Sequence, residues 1–218
     1  MRLPDHISLL ELSAHSVSDE EAAGYLTPEE RTRRMSFRHE GRRRSFALGR
    51  MAARTLLAER LGCPALKVPL SVREDGSLEV VDSPLRVSIS HSGALAAATV
   101  APCAVGVDLE AMKRRPESLF RFILGPSETS LRDAVELPAW QQIVLFWSLK
   151  ESVLKGQRTG LRMSPKALRL EVDLEDCAAV IHGDRQWTSR FEMDQERVLV
   201  VSWSPDQAYQ ECFAPNAH

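Results

Sequence analysis

The chain has 218 residues, 44% of them hydrophobic, enough to build a core in one compact domain or in two small ones held closely together. Its formal net charge of −2 offers no global field for nucleic acid or an anionic membrane surface. No apolar run approaches the ~20 residues of a membrane span. Asp5, His6 and Glu11 interrupt any N-terminal hydrophobic leader, so a cytoplasmic protein is expected.

In chain order, Ser18-x-x-Glu21 and Thr27-x-x-Glu30 have the form of capping boxes, the second with Pro28 at the first helical position. A helix is predicted over 28–38 and another over 41–61, the latter with Phe46, Ala53, Leu57 and Leu61 on one stripe and Gly62 and Pro64 as its stop. Between Arg31 and Arg54 stand nine arginines, no lysine and one acid, Glu40, a density that marks either a local anion site or a solvated helix face. Asp75-Gly76 reads as a hairpin turn, and strands are predicted over 86–90, 95–100 and 105–110. Ala101-Pro102-Cys103 is the best junction, dividing an N-terminal half, 1–102, from a C-terminal half, 103–218. Beyond it, helices are predicted over 117–123, 128–135 and 139–156, then strands over 167–172, 178–181, 187–191 and 198–203. Helices followed by an antiparallel meander, twice over, is an α+β pattern rather than an alternating β-α-β one. Cys63, Cys103, Cys177 and Cys212 form no Cys-x-x-Cys pair, so zinc is not expected and buried filler is their ordinary role.

In VGVDLE, 105–110, the apolar Val105, Val107 and Leu109 alternate with Gly106, Asp108 and Glu110. A strand sends alternate side chains to one face, which sets the two carboxylates about 7 Å apart at ~3.3 Å rise per residue. Like charges so placed raise each other's pKa unless a cation lies between them, and oxygen-only ligands suit Mg²⁺ or Mn²⁺. A strand with one wetted polar face is the plain alternative. Downstream, Trp147, Glu151 and Lys155 recur at i, i+4 and i+8 along one helix face. Should that face meet the Asp108 strand, Glu151 is a third carboxylate and Lys155 puts a cation where phosphate oxygens could lie. Otherwise they are an ordinary surface pair. SISHSG, 88–93, ends a strand on Gly93, and its Ser90 and His91 have the chemistry to donate to phosphate.

SISHSG at 88–93, GVDLE at 106–110 and WSLKESVLK at 147–155, in that order and at that spacing, resemble the 4'-phosphopantetheinyl transferases of the surfactin-synthetase-activating type. The resemblance implies an α+β fold of two similar halves related by a pseudo-two-fold axis. Each half would be an antiparallel sheet packed with helices, with the active site in the cleft between them. It implies Mg²⁺-dependent transfer (Mn²⁺ as a substitute) of the 4'-phosphopantetheine arm of coenzyme A to a serine of an apo acyl or peptidyl carrier protein, releasing 3',5'-ADP. The carrier could serve fatty-acid, polyketide or nonribosomal-peptide synthesis. By resemblance Asp108, Glu110 and Glu151 hold the metal, and Lys155 lies beside the pyrophosphate. Asp108, Ser90 and His91 reach the cofactor, His91 at its 3'-phosphate. Arg50, in ALGR at 47–50, matches a coenzyme-A-binding arginine, with Arg43 as its companion. Lys155 would stabilise developing charge, and either Glu151 or a metal-bound water would take the serine proton. A monomer follows, since the two halves complete one site. One departure stands out. Many relatives carry Gly-Lys-Pro before the histidine strand, with the lysine on a cofactor phosphate, where this chain has Gly76-Ser77-Leu78. Either an arginine such as Arg73 or Arg86 takes its place, or the affinity for coenzyme A is weaker.

A catalytically silent homologue that binds coenzyme A or a carrier is the alternative within the family. Nucleic-acid binding by the arginine segment would need interleaved aromatics, and Phe37 and Phe46 are the only ones there. Carriers are acidic around their serine, which gives Arg31, Arg34 and Arg38, near one face of the 28–38 helix, a steering role.

Overall fold

The structure, a computed structural model, describes residues 1–204. A strand that the sequence patterning did not reveal, β1 (Ser8–Ser13), opens the chain. It forms the edge of a three-stranded antiparallel sheet of order β1-β5-β4, with β4 at Arg86–Ser92 and β5 at Leu95–Ala101. Leu9 packs into one hydrophobic cluster, while Leu10 and Leu12 pack into others. Both faces of β1 are therefore partly covered, and the apolar–polar alternation that betrays a strand is blurred.

Helices α1 (Asp19–Gly24) and α2 (Pro28–Ser36) begin at the expected caps. The Ser18 hydroxyl accepts from Glu21 N at 3.0 Å. Thr27 and Glu30 exchange both bonds of a capping box, at 3.3 and 3.0 Å. Helix α2 stops at Ser36 because Phe37 turns extended (ψ 133°) and sets its ring 5.4 Å from that of Phe46. Arg38 thus lies beyond the helix, and Arg34 is ion-paired to Asp19, so the three-arginine face expected on this helix does not form as a unit. Helix α3 (Glu40–Leu61) ends on Gly62 in the left-handed region at φ 62°. It lies on the first sheet, where a Cβ on Gly49 would stand 2.7 Å from Ile89 Cγ2, so glycine allows the close approach of helix to β4. The hairpin β2 (Leu70–Val72) and β3 (Leu78–Val80) turns through Gly76 at φ 83° as its own two-stranded sheet.

The second layer is a five-stranded antiparallel sheet of order β6-β10-β9-β8-β7. Strand β6 is Ala104–Ala111, β7 Arg169–Asp173, β8 Ala178–His182, β9 Gln186–Met193 and β10 Arg197–Ser204. The helices expected over 117–123 and 128–135 are shorter, each a 3-10 turn followed by one α turn, α4 (Phe120–Ile123) and α5 (Leu131–Ala134). Gly125-Pro126 forces the break between them. Helix α6 (Ala139–Gly156) has its predicted bounds and buries Ile143, Phe146, Leu149 and Val153 completely. Its backbone touches that of β6: a Cβ on Gly106 would lie 1.9 Å from the Ser152 carbonyl oxygen. The far side of α6 is held by Lys150, fully buried, whose Nζ donates to Glu128 Oε2 at 2.6 Å, Leu168 O at 2.7 Å and Ile123 O at 2.8 Å.

The architecture is α+β, antiparallel sheets with helices packed on them. Among the described residues no helix is long and apolar enough to cross a membrane. Cys103 is buried and Cys63 half-buried, but Cys177 is exposed in a turn at φ 48°, where it fills no core, and Cys212 lies outside the described residues.

Candidate functional site

Strands β4 and β6 are edge strands of different sheets and lie side by side without a backbone ladder. Serines at every second position of β4 do the joining. Ser88 Oγ accepts from Val107 N at 3.2 Å, Ser90 Oγ from Leu109 N at 3.1 Å and Ser92 Oγ from Ala111 N at 3.0 Å. The period of a strand puts all three hydroxyls on one face, and the rising register means that the strands run parallel. The seam covers the free edge of the larger sheet and locks the two sheets together.

Asp108 sits in this seam, 3% exposed. Its Oδ1 accepts from Lys155 Nζ at 2.6 Å and from Ser90 Oγ at 3.1 Å, and its Oδ2 from Ser148 Oγ at 2.7 Å. Lys155 Nζ also donates to Ser90 Oγ at 2.8 Å. Two residues along β6, Glu110 accepts from Trp147 Nε1 at 3.2 Å and from Arg115 at 2.7 Å. The face of α6 carrying Trp147, Glu151 and Lys155 therefore does meet the Asp108 strand, because Gly106 lets helix and strand close. Burial raises the Glu110 pKa, and the Asp108 charge adds to it against Arg115 and Trp147. Burial also raises that of Glu151; Lys155 opposes this, and Asp108 and Glu110 add to it. Glu151 Oε1 is buried without a hydrogen-bond partner.

Against Lys155 opens a cavity of about 500 Å³. Its walls come from α2 and α3 (Arg33, Phe37, Arg42, Phe46, Arg50), the 75–78 turn, β4 (Ser88, Ile89, His91) and the turn after α6 (Arg158, Arg162). Among the described residues six cationic side chains line it against one carboxylate, Asp75, a lining that suits an anion. Arg50, 8% exposed, has Nε 3.3 Å from Glu30 Oε1, while its buried Nη1 has no partner. Burial lowers the His91 pKa, and Arg42 and Lys155 lower it further. Arg42 contacts the His91 ring nitrogen.

Lys155 thus joins two groups: Asp108, Glu110, Glu151 and Ser90 around it on the carboxylate side, and His91 and Arg50 with it in the cavity lining. Ser90 does not line the cavity, its hydroxyl being engaged by Lys155, Asp108 and β6. Arg43 does not line it either, since its Nε donates to Phe37 O at 2.8 Å. Neither Arg73 nor Arg86 reaches the lining, and Arg73 is paired with Glu79 at 2.7 Å. Besides Arg50, Arg33, Arg42, Arg158 and Arg162 stand there; the first two fall in the arginine-dense segment, and the last two carry no motif by which the sequence could single them out. Ser148 and Arg115, which hold the two β6 carboxylates, were likewise legible only as polar residues.

Carboxylate oxygens with raised pKa values, one of them orphaned, are a donor set that fits a hard divalent cation. Among the described residues no three such side chains stand arranged to hold a metal as they are, because Lys155 and Arg115 occupy Asp108 and Glu110.

A family model described as the 4'-phosphopantetheinyl transferase superfamily matches residues 104–212. A 4'-phosphopantetheinyl transferase of Bacillus subtilis is 28% identical over 182 residues, covering 81% of this chain and 81% of its own. The crystal structure of Thermotoga maritima holo-[acyl-carrier-protein] synthase is similar at 22% identity and a TM-score of 0.41, over 48% of this chain. The match spans 64% of that chain, a little under two thirds of its length.

Proposed function

The chain belongs to the 4'-phosphopantetheinyl transferase superfamily, and from that premise we propose that it moves the 4'-phosphopantetheine arm of coenzyme A onto a serine of an apo carrier protein, with Mg²⁺, releasing 3',5'-ADP. The observation that carries this reading is Lys155, which lines a strongly cationic cavity and at the same time touches the buried carboxylate cluster of Asp108. A substrate bearing a pyrophosphate and a phosphate monoester matches the cavity's charge. A reaction that shifts negative charge onto a bridging oxygen matches the lysine at its end.

The serine hydroxyl of the carrier attacks the phosphorus that bears pantetheine. The new P–O bond forms as the bond to the bridging pyrophosphate oxygen breaks, and 3',5'-ADP carries that electron pair away. Asp108, Glu110 and Glu151 would hold Mg²⁺, which supplies Lewis-acid stabilisation of the pyrophosphate when bound. Lys155, which lines the cavity beside Asp108, would neutralise the leaving oxygen. Glu151, with a raised pKa and an unpartnered oxygen, is the acceptor on hand for the serine proton. Ser90 and Ser148 orient Asp108 rather than touching substrate. In this reading the N-terminal half, 1–102, and the described part of the C-terminal half, 103–204, are the two walls of the cleft, in a monomer.

The test is incubation of the full chain with fluorescent coenzyme A, Mg²⁺ and a panel of apo carrier proteins. Labelling of at least one carrier serine is expected, with D108N and E151Q reduced by more than ~100-fold, the scale at which charge-stabilising groups act. Absence of labelling on every carrier, or wild-type rates in both variants, defeats the proposal.

A further inference from the structure

Helix α6 ends in a Schellman motif. Thr159 N donates to Leu154 O at 3.1 Å and Arg158 N to Lys155 O at 3.0 Å, with Arg158 in the left-handed region at φ 59°. Glycine is the residue this position favours, and at the end of α3 the same chain uses Gly62 at φ 62°. An L-residue there costs about 1 kcal/mol. Local geometry alone would have chosen glycine, so the arginine side chain has another use.

The cavity shows which. Of the cations lining it, Lys155 is tied to Asp108, Arg50 to Glu30 and Arg162 to Asp75. Arg33 and Arg42 are exposed and lie over the Phe37 ring at 5.1 and 5.3 Å. Arg158 is half-buried, and its guanidinium makes no hydrogen bond or ion pair with any described residue. We infer that Arg158, projected into the cavity by the α6 cap, grips the phosphate monoester of the bound cofactor and sets a preference for 3'-phosphorylated over dephosphorylated coenzyme A. This rests on the proposed function, in which the pyrophosphate lies at Lys155; the monoester, which the resemblance sets at His91, falls in the same cavity, where Arg158 would share it. The neighbours of Arg158 support it: burial lowers its pKa, and the positive charges of Arg86 and Arg73 lower it further, ahead of the weaker pull of Glu79 and Asp75. A dianion relieves that crowding. Arg158 also lines the same cavity as the 75–78 turn, where the motif lysine of relatives is missing.

The test is calorimetric titration of the full chain, with Mg²⁺, using coenzyme A and dephospho-coenzyme A. Arg158→Gly is the variant of choice because glycine suits the backbone there, so its melting temperature should hold or rise. Wild type is expected to favour coenzyme A. In R158G that affinity should drop by about tenfold to a hundredfold, the range for a hydrogen bond to a charged group. Dephospho-coenzyme A should bind as before, and R158K should recover part of the preference. A wild-type preference kept in R158G, or no preference in wild type, overturns the inference and leaves the transferase reading standing. Failure of wild type to bind either nucleotide overturns both.

Discussion

Replacing Lys150 with methionine should unfold this protein more readily without disabling its chemistry. Lys150 is the first lysine of the KES segment and the immediate neighbour of Glu151, so its place in the chain alone does not separate it from the chemistry. In the structure its ammonium group is fully buried, with three acceptors at 2.6–2.8 Å. Burial holds its pKa below the ordinary lysine value, and Glu128 opposes that shift. Removing the lysine leaves the Glu128 carboxylate, itself fixed by Gly125 N at 2.7 Å and Leu170 N at 2.9 Å, without its counter-charge. Breaking a buried pair in this way costs about 3–5 kcal/mol. For a chain of this size about 2–4 °C is lost per kcal/mol, so the melting temperature should fall by about 6–20 °C. Thermal and urea unfolding followed by circular dichroism measure it. E128Q/K150M should recover part of the loss, since the uncompensated charge is gone. Well below the melting point, transfer by folded K150M should stay within about threefold of wild type, because Lys150 lies about 140° around the helix from Lys155 at ~100° per residue. A variant that melts like wild type, or one that is folded but inactive, refutes the reasoning.

Gly106→Ala should be more damaging than a methyl group suggests, because the new Cβ would meet the Ser152 carbonyl at 1.9 Å and neither backbone can rotate away. Overpacking of this kind costs about 1–3 kcal/mol or more, and displacement of α6 should abolish transfer even in the folded fraction; an active, wild-type-stable G106A would contradict the packing. The raised pKa values of Glu110 and Glu151 mean that the folded metal-free protein keeps these protons after the unfolded chain has lost them near pH 4.5. Stability from this source is present below that pH and is lost as pH rises through the raised values. E151Q should then melt at or above wild type at pH 7 without metal, with the advantage vanishing toward pH 4; a marked loss at pH 7 counts against the repulsion. Coenzyme A with Mg²⁺, each at 100 times its dissociation constant, should add about 2.7 kcal/mol or more to stability in a thermal-shift assay, and EDTA should remove much of it. Insensitivity to EDTA would exclude the carboxylate cluster as a metal site.

The sequence by itself determined the local elements and the order of the chemistry along them. Caps, proline and glycine stops and the periods of helix and strand act over a few residues, so α3, α6, the 75–76 turn and the core strands were legible. So was the shared face of Trp147, Glu151 and Lys155, because helical spacing is a one-dimensional property. Strand β1 was not, since it exists by pairing with β5 across some ninety residues, Ser8 opposite Val100, and both its faces are covered. The three serines of β4 read as a small polar cluster; only the edge of β6 beside them makes them a seam. Lys150 and Lys155 look equivalent in the motif, and tertiary packing sends one into a buried pair with Glu128 and the other to Asp108 and the cavity. The arginine segment announced an anion site but not its members. Ion pairs with Glu30 and Asp19, the early end of α2 at Phe37 and the left-handed cap at Arg158 decide which guanidinium groups remain unpaired. Those contacts join residues far apart in the chain, where no spacing rule reaches.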